Sequence, residues 1–203
     1  MTTEKYGPKA ERWSQDAYAD AATYFRRRGE VILALGPALH PGDTLLDLAC
    51  GDGGLADYLP GIRYAGIDGS PEMVEVGRRR GRDLMLGDLN DYEPAEPVAA
   101  TTCFRAIYYA DDRAALFRRV AGYTERKFVF DFTLKDFDGR QIIADLHAAG
   151  FANVELKPFL YPQHYAPRGV LDAALRAAER TGPLVRPLLR HRFTYIVAAS
   201  FSR

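Results

Sequence analysis

The sequence predicts an α/β fold: a doubly wound, mostly parallel seven-stranded sheet with helices on both faces. Three observations lead there. Short apolar runs alternate with amphipathic helical segments along nearly the whole chain, the pattern of successive βα units. Residues 44–50, TLLDLAC, form an almost continuous apolar run, as expected of a strand buried on both faces of a parallel sheet. The chain has 203 residues, 47% apolar and 27% charged. That is enough for one core of ordinary globular composition, so residues 1–203 are read as a single domain.

The elements follow in order. Residues 14–39 read as helical, with a break at Gly29 and with Val31, Ile32, Leu35 and Leu39 on one face. Pro41-Gly42-Asp43 stops the helix. The first strand, 44–50, feeds the turn Gly51-Asp52-Gly53-Gly54 and a short helix to Leu59. Residues 62–67 form the second strand. Ser70-Pro71-Glu72 then supplies an N-cap with proline at the first helical position. That helix runs to Arg80 and ends at Gly81. Residues 83–86 and 98–104 are the third and fourth strands, and 112–122 a helix. Residues 127–132 are the fifth strand, 138–149 a helix closed by Gly150, and 151–159 the sixth strand. The helix 168–180 puts Val170, Leu171, Ala174, Leu175 and Ala178 on one face and is expected to pack. Residues 193–201 are the seventh strand. In such a sheet, ligands bind beyond the carboxyl ends of the strands.

Composition narrows the function. Lys plus Arg and Asp plus Glu are each 27, so net charge is zero. There is no global field to hold a polyanion, and a nucleic-acid coat is not expected. No apolar run reaches membrane-spanning length, and residues 1–11 lack the apolar core of a signal peptide. No membrane association is expected. Cys50 and Cys103 make no CxxC pair and no disulfide framework, which fits a reduced, cytoplasmic setting. His40, His147, His164 and His191 lie far apart, so no metal is expected. Arg26–Arg28 and Arg78–Arg80 each precede a glycine at a predicted helix end. Cations there complement the helix dipole without any partner. Arg186, Arg190, His191 and Arg192 read as a solvated face, or as a patch drawing in an acidic substrate.

Three features at successive strand ends carry chemistry. Asp47-Leu48-Ala49-Cys50-Gly51-Asp52-Gly53 joins a buried strand to a helix through small residues. Such a turn lets a ligand approach the backbone closely and offers it free N–H groups. Asp68 ends the second strand about 17 residues after Gly51, near the roughly 20 expected of a ribose-binding acid. Gly87-Asp88-Leu89 follows the third strand and can meet an adenine. One nucleoside can touch all three. Each alone also reads as a turn or cap.

Together, over residues 44–135, these motifs resemble the class I S-adenosylmethionine (SAM)-dependent methyltransferases. Ala49 stands where that family's pattern has its first glycine. The resemblance implies a Rossmann-like fold with an antiparallel seventh strand, and SAM as cofactor with S-adenosylhomocysteine (SAH) as product. It implies Asp47 for the methionine amino group and Ala49, Gly51 and Gly53 for the turn beneath the methionine. It implies Asp68 and Gly69 for the ribose, Met73 for packing on the adenine, and Asp88 and Leu89 for adenine recognition. Cys103 and Phe104 would lie beside the methionine moiety. Residues 1–40 would be an N-terminal helical cap and 160–192 a substrate-cap insertion.

Gly51-Asp52-Gly53-Gly54-Leu55-Ala56 also satisfies the dinucleotide fingerprint G-x-G-x-x-G/A. An NAD(P)-dependent oxidoreductase is therefore one alternative. Against it, Asp47 and Asp52 flank the spot a pyrophosphate would occupy. Methyl transfer to protein or tRNA is a second alternative, and a SAM-binding module without chemistry a third.

The acceptor is expected after the fourth strand. Arg105 suits a substrate carboxylate, and Tyr108 and Tyr109 can wall the pocket. No Asn/Asp-Pro-Pro-Tyr signature follows that strand, which counts against a nucleic-acid base. The loop Tyr161–Pro167 offers Tyr161 for binding and His164 as general base, since imidazole titrates near neutrality. Tyr108 is the second catalytic candidate, and Asp131, at the end of the fifth strand, ranks below His164. Trp13, Tyr18, Tyr24 and Phe25 can fold over the cofactor, where aromatic faces suit a sulfonium. The expected activity is methyl transfer to oxygen or nitrogen of a small-molecule acceptor by a monomer or homodimer.

Overall fold

The computed structural model describes residues 7–180 and 194–202. Seven strands form one sheet: β1 (Thr44–Leu48), β2 (Arg63–Asp68), β3 (Leu84–Leu86), β4 (Val98–Cys103), β5 (Thr124–Thr133), β6 (Asn153–Phe159) and β7 (Thr194–Ser200). Their order is β3-β2-β1-β4-β5-β7-β6. β1 pairs in parallel with β2 and β4, as do β2 with β3 and β4 with β5. β7 runs antiparallel between β5 and β6. The predicted α/β class and the antiparallel seventh strand are both present. The strand order reverses between β1 and β4, which places the ligand crevice at their carboxyl ends.

The helices are α1 (Trp13–Ala17), α2 (Ala21–Ala34), α3 (Pro71–Arg79), α4 (Arg113–Tyr123), α5 (Gly139–Ala148) and α6 (Val170–Arg180). Strand residues alternate between two cores. Leu45, Val129, Ile196 and Ala198 pack with Tyr24 and Ile32 of α2. Leu46, Leu48, Phe128, Phe130 and Val197 pack with Phe117 of α4 and Leu146 of α5. Burial on both faces is why these strands read as continuous apolar runs.

Several boundaries differ from expectation, each for a physical reason. The predicted helix 14–39 is two helices, with Asp20 capping α2 through the Thr23 N–H at 2.9 Å. α2 runs through Gly29 without a break. A Cβ at Gly29 would lie 2.4 Å from the Tyr58 carbonyl oxygen. The glycine thus admits the neighbouring backbone instead of ending a helix. Residues 54–58 form a 3₁₀ turn rather than an α-helix. β5 starts at Thr124, before its apolar run, because pairing with β4 continues past an irregularity between Val98 and Ala100.

The arginine run at 26–28 is not a solvated helix end. Arg27 and Arg28 are buried. Arg27 pairs with Asp172 at 3.4 Å and Glu179 at 2.6 Å on α6. The carboxylates of α6 therefore face the body of the protein. Val170, expected to pack, is instead 88% exposed, and Leu171 is exposed too. Two acids seven positions apart share a helix face, and a buried arginine demands that face. Arg80 likewise has a partner, Asp52, at 2.5 Å. Lys127 of β5 is fully buried and donates to the carbonyls of Ile32 (2.6 Å) and Leu35 (2.7 Å) at the end of α2. The basic cluster at 186–192 and the start of the seventh strand at 193 lie outside the described residues.

Candidate active site

The turn after β1 is built from left-handed backbone. Ala49, Gly51 and Gly53 have φ of 54°, 60° and 73°. The Gly51 N–H donates to Asp68 Oδ2 at 2.7 Å, and the Ser70 N–H donates to Asp68 Oδ1 at 2.9 Å. The glycine turn is thereby fastened to the end of β2. Burial pushes the Asp68 carboxyl up, and those two backbone donors pull it back. Asp47 is buried at the end of β1, accepting from Thr102 Oγ1 (2.6 Å) and the Tyr64 hydroxyl (2.7 Å). Burial raises its pKa too, against those two bonds and the nearby charge of Arg28. Asp52 is held by Arg80 and Arg82 and accepts from the Gly54 N–H at 3.2 Å, which braces the turn.

A cavity of about 500 Å³ opens over this turn. Its floor includes Asp47, Ala49, Gly51, Asp68 and Gly69. Met73, Leu86 and Leu89 make an apolar wall beside Asp88. Asp88 is exposed and accepts from Asn90 N–H and Nδ2 at 2.9 Å each. Trp13, Tyr18 and Phe25 cover the cavity from the N-terminal helices, and Phe104, Arg105, Tyr108 and Tyr109 close its far side.

Arg28 of α2 lines the same cavity, yet is only 2% exposed. Its Nη2 bonds Asp131 Oδ2 at 2.5 Å and the Tyr24 hydroxyl at 2.7 Å. Its guanidinium lies 4.3 Å from the Phe104 ring centroid. Its Nε has no hydrogen-bond partner among the described residues. Burial opposes the charge, but Tyr24 and Asp131 outweigh it and hold Arg28 protonated. Asp131 Oδ1 accepts from the Arg105 N–H at 2.5 Å. Arg105 itself sits at φ 56°, a conformation non-glycine residues adopt only under constraint.

The structure thus gathers most of the expected residues. Asp47, Ala49, Gly51, Asp68, Gly69, Met73, Asp88, Leu89 and Phe104 line the cavity, as do Tyr18, Arg105, Tyr108 and Tyr109. Five others do not. Gly53 lies behind the turn, where a Cβ would meet Leu84 at 2.9 Å. Cys103 is fully buried in the core, and burial pushes its thiol up. Tyr24 packs beneath Tyr18, with ring centroids 4.3 Å apart. Tyr161 is buried under Arg27, 5.0 Å from ring centroid to guanidinium. His164 is exposed, away from the cavity. Its loop is fastened at Gln163, whose carbonyl accepts from Ala19 N–H (2.8 Å) and whose amide donates to Ala17 (2.9 Å).

Arg28 is the residue the sequence reading missed. A signal was present. Three consecutive helical residues span roughly 200° of the helix circumference. On a helix whose other face holds Tyr24, Val31 and Ile32, the three arginines at 26–28 cannot all reach solvent.

The reversal at β1/β4, the antiparallel β7 and the acid-lined turn define the class I SAM-dependent methyltransferase fold. Residues 45–126 match the family described as "Methyltransferase domain". The chain is 32% identical over 111 residues to the trans-aconitate 2-methyltransferase of Mycobacterium tuberculosis. That match covers 53% of this chain and 42% of the relative, so the chain spans less than half of that relative's length. A SAM-dependent methyltransferase of Thermotoga maritima superposes with a TM-score of 0.67 at 13% identity, covering 98% and 97% of the two chains. The phosphoethanolamine N-methyltransferase 2 of Haemonchus contortus, in complex with SAM, superposes with a TM-score of 0.68 at 15% identity. That match covers 100% of this chain and 60% of the other. By fold, and by the family match over residues 45–126, the chain is similar to the class I SAM-dependent methyltransferases.

Proposed function

We propose that the chain is a SAM-dependent methyltransferase acting on oxygen or nitrogen of a small-molecule acceptor. One observation carries the reading: Asp47, Asp68 and Asp88, from three successive strand ends, line one cavity whose floor is the left-handed turn. The chemistry of these residues fits SAM. Leu86 is 57% exposed on the cavity wall, an apolar surface suited to covering by a flat base. Asp68, fixed by two backbone N–H groups, has lone pairs left to accept from ribose hydroxyls. Asp47 and Arg28 offer opposite charges in one corner, matching the zwitterionic end of methionine. Trp13, Tyr18 and Phe25 present aromatic faces to a cation. When bound, SAM supplies a methyl group on a sulfonium. The protein's part is to hold donor and acceptor in line and exclude water, which can contribute roughly 7–11 kcal/mol in favourable cases.

A cavity of about 500 Å³ lies in the range of small-molecule sites. The curated relative's name gives trans-aconitate as its acceptor, which supports a small-molecule reading over protein or tRNA. No helix among the described residues is long and apolar enough to cross a membrane, and Cys50 and Cys103 are free thiols, consistent with a cytoplasmic enzyme. In this reading residues 1–203 form one domain, with 1–40 as its N-terminal cap.

Thermal shift tests the cofactor. A ligand that binds only the folded state adds about 2.7 kcal/mol at a hundred times its dissociation constant. SAH should raise the melting temperature, and NAD and NADP should leave it unchanged. A shift with a dinucleotide instead overturns the assignment of the turn.

A further inference from the structure

We propose that the acceptor is a carboxylate, that Arg105 holds it, and that the product is a methyl ester. This rests on reading the cavity as a methyltransferase site.

The first argument is the lack of a proton acceptor. Among the described residues that line the cavity there is no histidine, lysine or glutamate. Three of the four lining aspartates have both oxygens engaged, and Asp88, exposed beside the apolar wall, has one. Asp47 accepts from Thr102 and Tyr64, Asp68 from two backbone N–H groups, Asp52 from arginines, and Asp88 from Asn90. Asp131 has one oxygen on Arg28 and the other on the Arg105 N–H. An alcohol, or an amine in its ammonium form, must lose a proton to react, and the cavity lining offers no imidazole or amine to take it, only hydroxyls, a thiol and aspartates. A carboxylic acid ionises near pH 4, so it arrives as the nucleophile.

The second argument is charge. Arg28 is matched by Asp131. Arg105 is half-buried, lines the cavity, and makes no ion pair among the described residues. Its guanidinium is the one cation lining the cavity without an ion pair among the described residues, and a guanidinium suits a carboxylate. The Asp131 bond to its N–H, at φ 56°, holds this placement.

The step balances without proton transfer. One carboxylate oxygen forms a bond to the methyl carbon as the carbon–sulfur bond breaks. The electron pair of that bond stays on sulfur. Carboxylate and sulfonium become a neutral ester and a neutral thioether. Arg105 then faces an uncharged product, which it holds more weakly than the acid.

The test uses the full chain with methyl-¹⁴C SAM and a soluble cell lysate, separated afterwards by size and treated with mild alkali. The expected result is label in the small-molecule fraction, released by alkali as volatile methanol. Alkali-stable label in that fraction overturns the ester inference but leaves small-molecule methylation standing. Label on macromolecules, or no label anywhere, overturns both. Arg105→Met should lower the alkali-labile label about tenfold or more, and Arg105→Lys should restore part of it. SAH affinity by calorimetry should change by less than about twofold in both variants. Undiminished label in Arg105→Met removes Arg105 from the assignment. With a purified acceptor, loss of Arg105 should raise KM more than it lowers kcat, because the contact is to the ground state.

Discussion

Replacing Asp131 by alanine probes how the cap and the sheet are joined. Asp131 is 4% exposed and touches two elements at once. One oxygen meets Arg28 of α2, and the other meets the Arg105 N–H after β4, each at 2.5 Å. The variant leaves Arg28 buried without the carboxylate it bonds. Breaking a buried pair from one side costs about 3–5 kcal/mol. The orphaned Arg105 N–H adds about 1 kcal/mol or more. For a domain of this size each kcal/mol moves the melting temperature by about 2–4 °C, so a drop of roughly 8–24 °C is predicted. Urea titration of the ligand-free protein measures the free energy directly. The double variant Arg28→Met with Asp131→Leu removes both charges and should regain most of the loss, because an apolar pair of similar volume often matches a buried ion pair. That rescued protein should still bind SAH at least about tenfold more weakly, having lost the Arg28 cation from the cavity. An Asp131→Ala loss below about 1 kcal/mol, or a double variant no better than the single, would refute the buried-pair account.

Other predictions follow from single contacts. Asp68→Ala should weaken SAM binding by more than about tenfold, read by calorimetry, through loss of charge-assisted hydrogen bonds; wild-type affinity would sink the ribose role. Gly29→Ala should destabilise by about 1–3 kcal/mol despite alanine's better helix propensity, because its Cβ would meet the Tyr58 carbonyl oxygen at 2.4 Å; a gain in stability would mean that the contact relaxes freely. Asp47→Asn should leave the ligand-free protein as stable or more so, since burial disfavours the charge, while SAM binding falls. Burial lowers Lys127 from its ordinary 10.5 to about 8. Between those values the unfolded chain binds more protons than the folded one, so stability should rise with pH from about 8. Tyr24, Tyr64 and Tyr123 are all held above their ordinary range and oppose that rise beyond about pH 10. Lys127→Met should abolish the upward slope in pH-dependent urea melts.

The centre of the sheet was legible because its strands are buried on both faces. Leu45 and Leu46, or Phe128 and Val129, face opposite cores, so each run stays apolar without alternation. The cofactor side of the site was legible for a related reason. Asp47, Ala49, Gly51, Asp68 and Asp88 lie within or just beyond short strands, and local sequence fixes where they project. The cap side was not. Arg28 depends on Asp131, 103 residues away, and Arg27 on Asp172, 145 residues away; local pattern carries no trace of such pairs. The placement of His164 outside the cavity lining was illegible for the same reason, since its loop is aimed by the Gln163 bonds to Ala17 and Ala19. Gly29 misled because one residue type serves both helix ends and close backbone approach.

The clamps on α2 set where the cavity can open. Gly29 seats α2 on the Tyr58 backbone, Arg28 ties it to β5, and Arg27 ties it to α6. Lys127 pins its last turn. A helix bolted at so many points does not swing. The preceding α1 is only five residues long and joins α2 through Tyr18, Ala19 and Asp20. It carries Trp13, whose indole nitrogen would lie 3.4 Å from a Cβ on Gly51. The cavity therefore has a wall of two kinds: α2, tied to three other elements, and α1, a single turn that lays Trp13 over Gly51.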